Sequence, residues 1–306
     1  MKNITYYYGE NRQLHTIISD PLFNRIVDYF LDHQGAEVIL RQIKTDFSNE
    51  TNLEHFLDKL IKHNLLERKN RRYSLTFPIY NEKKTIEIPD SINKSIEVLG
   101  QDRCTRFFIF GEWLWSFLFA EEQDYFFGVV DSLSQQPVFL TKKEVGNNDF
   151  KFISISHENS QPFDLATYFM CLSSRKPLPA TFQPLQNLIG DVDIDYFVTQ
   201  TKKIIRATKR NKIKNSKRNI FQEALLLTND LKKDANGICY TTTLVLEEQP
   251  TIVDEALFDR LGHEVSLLWD TIADRNQRVF AKQEIYSSLF NKYFEEQESL
   301  SYFKTT

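Results

Sequence analysis

The sequence predicts an α+β protein: an N-terminal winged helix-turn-helix, a central mixed α/β region, a second winged-helix-like unit and a helical C-terminal tail. Three observations carry this expectation. Thr51 to Phe77 reads as a capped amphipathic helix followed by two short strands around a basic turn. A weakly similar helix-plus-hairpin returns at Phe221 to Tyr240. Near the end, Phe258, Leu261, Val265, Leu268 and Ile272 step by three and four, as on one face of a helix. The expected segments are 1–80 (winged helix), 81–95 (polar linker), 96–184 (central region), 185–250 (second unit) and 251–306 (helical tail).

Each element has a local reason. Asp20 before Pro21 marks a helix start, and Leu22, Phe23, Ile26, Val27, Phe30 and Leu31 recur with helical spacing up to Gly35. A second helix is expected over Glu37 to Phe47, and a third from a capping box of Thr51 and Glu54, with Asn64 as its left-handed cap. Leu65 to Arg68 and Arg72 to Phe77 form a hairpin with Lys69, Asn70 and Arg71 at its tip. Arg106 to Gln123 reads as an aromatic helix. Tyr125 to Val130, Val138 to Thr141 and Phe150 to Ser156 read as strands divided by the turns at Ser132 to Gln136 and Gly146 to Asn148, and Phe163 to Ser173 as helix. Laid on Phe56 to Tyr73, the later repeat matches Asn229 with Asn64 and Tyr240 with Tyr73, with two extra residues in the turn and Tyr240 to Leu246 as one strand.

Composition narrows the function classes. The chain has 306 residues, 41% hydrophobic, with 25 Phe and 13 Tyr, enough for packed cores. The net charge of -4 advertises no polyanion partner, so any basic signal is local. Cys104, Cys171 and Cys239 fit neither a disulfide framework nor a CxxC site, which points to a reducing cytoplasm. The start lacks a signal-peptide core, and the most apolar run, Phe107 to Ala120, is too short to span a membrane. No membrane is expected among the partners.

Two local basic features are the candidate sites. Arg68, Lys69, Arg71 and Arg72 surround a protruding hairpin tip, where they can meet phosphates. Lys202, Lys203, Arg206, Lys209, Arg210, Lys212, Lys214, Lys217 and Arg218 give a stretch without a single acidic side chain. Both fit double-stranded DNA, and both also fit solvated surface. Against base reading, the outward side of the third helix mixes Glu54 and Asp58 with His55, Lys59 and Lys62. The leading expectation is therefore a non-enzymatic, DNA-associated regulatory protein. The alternative is an interaction scaffold with a protein partner, or a homodimer through the C-terminal helices.

No catalytic, metal or cofactor constellation stands out. Asp191, Asp193 and Asp195 lack the companions of an EF-hand loop and read as helix capping. His263 and Glu264 open an HExxH-like string that ends at Leu267 instead of a second histidine. Glu112, Trp113 and Trp115 read as core, with a pocket carrying a raised Glu112 pKa as the alternative.

Two stretches resemble the domain-of-unknown-function family 1803 of low-GC Gram-positive bacteria. One is LIGDVDIDYF (Leu188 to Phe197) followed by NIFQEALLL (Asn219 to Leu227). The other is VILRQIKTDF (Val38 to Phe47) with the hairpin RRYSLTFP (Arg71 to Pro78). The resemblance covers roughly residues 15–250 and implies a leading winged helix. It brings no activity and no site residues to carry over, and this chain departs from it in a longer middle region and an added C-terminal segment.

Overall fold

The computed structural model describes residues 3–9, 12–80, 86–130, 139–158, 160–174, 178–210, 218–247, 255–295 and 298–305. The architecture is mixed α+β, with several small sheets. It opens with β1 (Ile4–Tyr8) and α1 (Arg12–Ile18), which the apolar spacing did not signal. Then α2 (Pro21–Asp32) begins where expected, as the Asp20 carboxylate accepts from the Leu22 amide at 2.9 Å. The second expected helix starts late: Val38–Ile39 form β2 and α3 (Leu40–Asp46) follows, with Gln42 accepting from the Ile39 amide at 2.9 Å. In α4 (Leu53–Lys62) the stripe Leu53, Phe56, Leu57 and Leu60 is buried. The expected capping box does not form, because the N-cap is Asn52, without a side-chain bond, and Glu54 pairs with Lys44 instead. β3 (Leu66–Lys69) and β4 (Arg72–Leu75) make the expected hairpin, β2 adds to the other edge of β4, and β5 (Ile79–Tyr80) follows.

α5 (Asp90–Leu99) begins inside the expected linker, because Ile92 and Ile96 lie one turn apart and are buried. Residues 81–85 of that linker lie outside the described residues. The aromatic helix is α6 (Arg103–Phe108), a π-helical turn over Ile109–Leu114, and α7 (Trp115–Phe119). β6 (Phe126–Val130) and β8 (Phe150–His157) match the expected strands, whereas β7 (Leu140–Asn147) shares only Leu140 and Thr141 with the strand expected over Val138 to Thr141 and runs on through Gly146 and Asn147 of the expected turn; the turn at Ser132 to Gln136 lies outside the described residues. Next come α8 (Leu165–Ser173), α9 (Gln183–Ile189), α10 (Ile194–Lys209) and α11 (Ile220–Leu227). The strand expected over Tyr240 to Leu246 is two strands in different sheets: β10 (Cys239–Thr241) pairs with β9 (Leu231–Lys233), whereas β11 (Leu244–Glu247) joins the large sheet. The C-terminal region is not wholly helical. After α12 (Glu255–Ser266) and α13 (Arg275–Phe294) comes β12 (Ser299–Thr305), whose alternation of Leu300 and Tyr302 against Ser301 and Phe303 is a strand period.

The chain divides into two compact units, neither continuous in sequence. The first holds residues 1–86, 119–137 and 269–284. Its core joins Phe23, Ile26 and Val27 of α2, Ile43 of α3, Phe56 and Leu60 of α4 and Tyr73 of β4. Beside it lies the sheet β1-β6-β5, antiparallel from Ile4↔Val130 to Tyr8↔Phe126, with β5 parallel to β6.

The second unit holds residues 87–118, 138–268 and 285–306, around the sheet β11-β12-β8-β7. Pairing of Ser301 with Ser154 and Phe303 with Phe152 fixes which side chains share a face. Phe150, Phe152 and Phe303 pack with Phe169 of α8, Leu185 of α9, Phe197 of α10 and Leu225 of α11. On the opposite face Tyr302 meets Phe107 at 6.3 Å. Of the stripe read as a possible dimer seam, Phe258, Leu261 and Val265 are buried, while Leu268 and Ile272 are half-buried.

The two helix-hairpin pieces share backbone detail. Asn64 and Asn229 both adopt left-handed φ, 54° and 61°, and their carbonyls accept from the Thr76 and Thr242 hydroxyls respectively. The register corrects the expected alignment. Arg68 faces Tyr73 and Lys233 faces Cys239, so Cys239 takes the Tyr73 position and the second turn is one residue longer, not two. Burial agrees, since Cys239 is 2% exposed and Tyr240 46%. An Ala in the left-handed region is strained by its Cβ. Asn64→Ala and Asn229→Ala should each lower unfolding free energy by about 1 kcal/mol in urea titrations, and the Gly variants by much less.

Candidate functional site

The hairpin tip is built by its backbone. Asn70 and Arg71 both have positive φ, 53° and 65°, the two-residue turn that matches strand twist. Glycine is the unstrained choice at the second position, and an L side chain there costs about 1 kcal/mol. Arg71 is held there nonetheless. Arg72 pairs with Glu37 at 2.5 Å, and the Arg68 guanidinium lies over the Tyr73 ring at 5.6 Å. Lys69 and Arg71 are exposed and have no acidic partner among the described residues. On α4, Glu54 is neutralised by Lys44, while Asp58 and Lys59 line a groove with Gln13 and Thr16 of α1.

In α10 the Asp193 carboxylate caps the helix, accepting from the Tyr196 amide at 2.9 Å, as expected of that residue. Lys202, Arg206 and Lys209 follow at i, i+4 and i+7 and line one cavity of about 350 Å³. Lys202 donates to the Asp149 carbonyl at 3.1 Å. Lys203 and Arg210, the latter the C-cap residue of α10, are exposed and do not line the cavity. Arg218 pairs with Glu223 at 3.1 Å, and Lys212, Lys214 and Lys217 lie outside the described residues. The wing belongs to the first unit and α10 to the second.

Sequence reasoning missed the surroundings of Glu112. Trp113 stacks on Phe117 at 5.3 Å and Trp115 meets the Tyr286 ring edge-on at 5.0 Å, so the tryptophans are packing. Glu112 sits in the π-helical turn and accepts from Lys142 at 3.0 Å, from Lys304 at 2.6 Å and from the Tyr302 hydroxyl. The turn's carbonyls are served by side chains: Tyr286 donates to Phe110 O at 3.0 Å and Lys142 to Gly111 O at 2.8 Å. A Cβ on Gly111 would stand 2.5 Å from the Tyr302 hydroxyl oxygen, so glycine is required for this approach. Burial pushes the Glu112 pKa up, but Lys142, Lys304 and Tyr302 outweigh it and hold it below the ordinary value, opposite to the raised pKa considered from sequence. The only sequence signal was the alternation placing Tyr302 and Lys304 on one strand face.

Comparison with known proteins touches the first of these sites. Residues 4–102 match the family described as Domain of unknown function (DUF1803). The match includes Val38 to Phe47 and the Arg71 to Pro78 hairpin, and it ends before the Leu188 to Leu227 stretch that carried the other half of the resemblance. The hairpin thus lies within the matched residues, whereas Glu112 and the α10 cations lie beyond them. No curated protein and no solved structure matches the chain.

Asp230 occupies the place that Leu65 holds before the first hairpin, directly after the left-handed Asn. It is 6% exposed and accepts from the Thr228 and Thr243 hydroxyls, each at 2.5 Å. Burial pushes its pKa up to about 7, against the lowering by the two hydroxyls, and nearby Asp164 adds to the rise. Below the unfolded value of 3.8 both states bind the proton. As pH climbs from there to about 7 the unfolded chain has released it and the folded chain has not, so stability falls with pH. Asp230→Asn should remove this decline, measured as the difference between urea midpoints across pH 4 to 8. Glu112→Gln removes the carboxylate partner of Lys304 and leaves Lys142 with only Glu144 at 3.7 Å, and should cost roughly 3 kcal/mol at neutral pH in the same assay.

Proposed function

We propose that α2 to β4 form a winged helix and that the protein is a cytoplasmic, non-enzymatic, DNA-associated regulator whose wing leads the contact. The winged-helix reading rests on the order helix, short strand, two helices and hairpin, with β2 completing a three-stranded sheet. The observation that carries the DNA reading is the tip itself: Arg71 is kept in a left-handed position that favours glycine, beside Lys69, and neither has an acidic partner among the described residues. Free cations on a narrow two-stranded projection are suited to phosphates at a groove edge. Asp58 on α4 would meet phosphates unfavourably, so affinity is expected to come from the backbone and sequence discrimination to be low. No helix among the described residues is long and apolar enough to cross a membrane.

A second reading, docking of a protein partner, draws on α11, which exposes Ile220 and Leu227, and on neighbouring Tyr240. Fluorescence anisotropy of the full chain with duplex DNA across a salt series separates the two. Under the first, Lys69→Ala/Arg71→Ala weakens binding without changing the circular dichroism, and the log-log salt slope shrinks by about 0.9 per lost phosphate contact. Asp58→Lys should strengthen binding at low salt. If duplex DNA gives no saturable signal even at low salt, the wing reading fails and the protein-facing one takes its place.

A further inference from the structure

The cavity on α10 has a chemistry that the wing does not share. Its cationic wall is Lys202, Arg206 and Lys209, spread along about 10 Å of helix. Lys202 is tethered by Asp149, and Arg206 and Lys209 have no acidic partner among the described residues. Lining it too is one row across three strands, in which Phe150, Thr305 and Glu247 are register neighbours on β8, β12 and β11. Glu247 lines the same cavity yet forms no ion pair with the cations among the described residues, so both signs of charge open onto one cavity without neutralising each other. Ile205 and Val245 add to the apolar floor.

This layout specifies a ligand by what each wall lacks. Arg206 and Lys209 call for a compact, multiply charged anion, for which a guanidinium fork beside an ammonium suits a phosphate monoester. The Thr305 hydroxyl already donates to the Leu246 carbonyl at 3.4 Å, so it offers lone pairs, and Glu247 also only accepts. Two acceptors side by side call for ligand hydroxyl donors, and the floor calls for an apolar body. The volume falls within the usual range for small-molecule sites, about 300 to 1,000 Å³. We propose that this cavity binds a nucleoside monophosphate: phosphate on Arg206 and Lys209, ribose hydroxyls on Glu247 and Thr305, base over the apolar floor. The proposal does not rest on DNA binding, since the wing lies in the other unit.

The test is isothermal titration of the full chain with AMP, adenosine and inorganic phosphate. Saturable AMP binding is expected, with adenosine and phosphate each weaker by at least about tenfold. Arg206→Ala/Lys209→Ala should weaken AMP by more than about tenfold. Glu247→Gln should weaken AMP while leaving phosphate unchanged, and Lys69→Ala/Arg71→Ala should bind AMP as the native chain does. The circular dichroism of each variant checks that it is folded. The proposal is overturned if AMP, GMP, CMP and UMP all give no saturable heat at millimolar concentration, or if AMP binding survives Arg206→Ala/Lys209→Ala. It is overturned equally if a single-stranded oligonucleotide binds through Arg206 and Lys209 while mononucleotides do not, because the face would then belong to a polymer.

Discussion

Strand β12 is the constraint on which the second unit depends. It lies between β11 and β8, parallel to one and antiparallel to the other, and so supplies side chains to both faces of the sheet. Phe303 stands 5.4 Å from both Phe150 and Phe152 in the helix-covered core, while Tyr302 and Lys304 turn the other way to Glu112. The fit is mutual. The Tyr302 ring occupies the room that a side chain at position 111 would need, and the π-helical turn places Glu112 beside its three donors. A shift of one residue in the β12 register would exchange the two faces, burying Lys304 among phenylalanines and turning Phe303 toward the carboxylate.

The two helix-hairpin pieces show which features the backbone requires and which have diverged. Both keep the left-handed Asn and its threonine bond. Their turns differ. The second uses Gly237 at φ 78°, with the Asp234 carboxylate accepting from the Asn236 and Ile238 amides, a relaxed solution. The first puts Arg71 in a comparable left-handed backbone position, at φ 65°. The outer faces differ too, charged on α4 and apolar on α11.

Elements with a strong helical period, a cap or a turn signal were legible in the sequence: α2 from Asp20 and Pro21, the α4 stripe, α10 from Asp193, and the β3–β4 hairpin. β1 was illegible because Ile4 to Tyr8 shows no alternation, and its residues are all half-buried. β12 was hidden because Ser299 to Thr305 follows a long helical pattern and its partner β8 lies far upstream. The expected capping box failed because the helix starts one residue late: with Asn52 as N-cap, Glu54 falls at the second helical position instead of the third. Of the candidate sites, the cations themselves could be read from charge alone. Their grouping could not: only the fold brings Arg206 and Lys209 into one cavity with Glu247, or Lys142 and Lys304 onto Glu112.

The discontinuity of the first unit bears on how this protein can be dissected. β6 is sandwiched between β1 and β5, and its Phe127 and Val129 are buried by that arrangement. Phe280, from the start of α13, stacks on Tyr80 at 4.2 Å. A fragment cut at the end of the DUF1803 match would retain β1 and β5 without the strand that joins them, and the remaining piece would expose both edges of an apolar strand, a template for aggregation. The limit at residue 102 marks where sequence similarity stops, and it is not a boundary at which the chain can be divided into soluble halves.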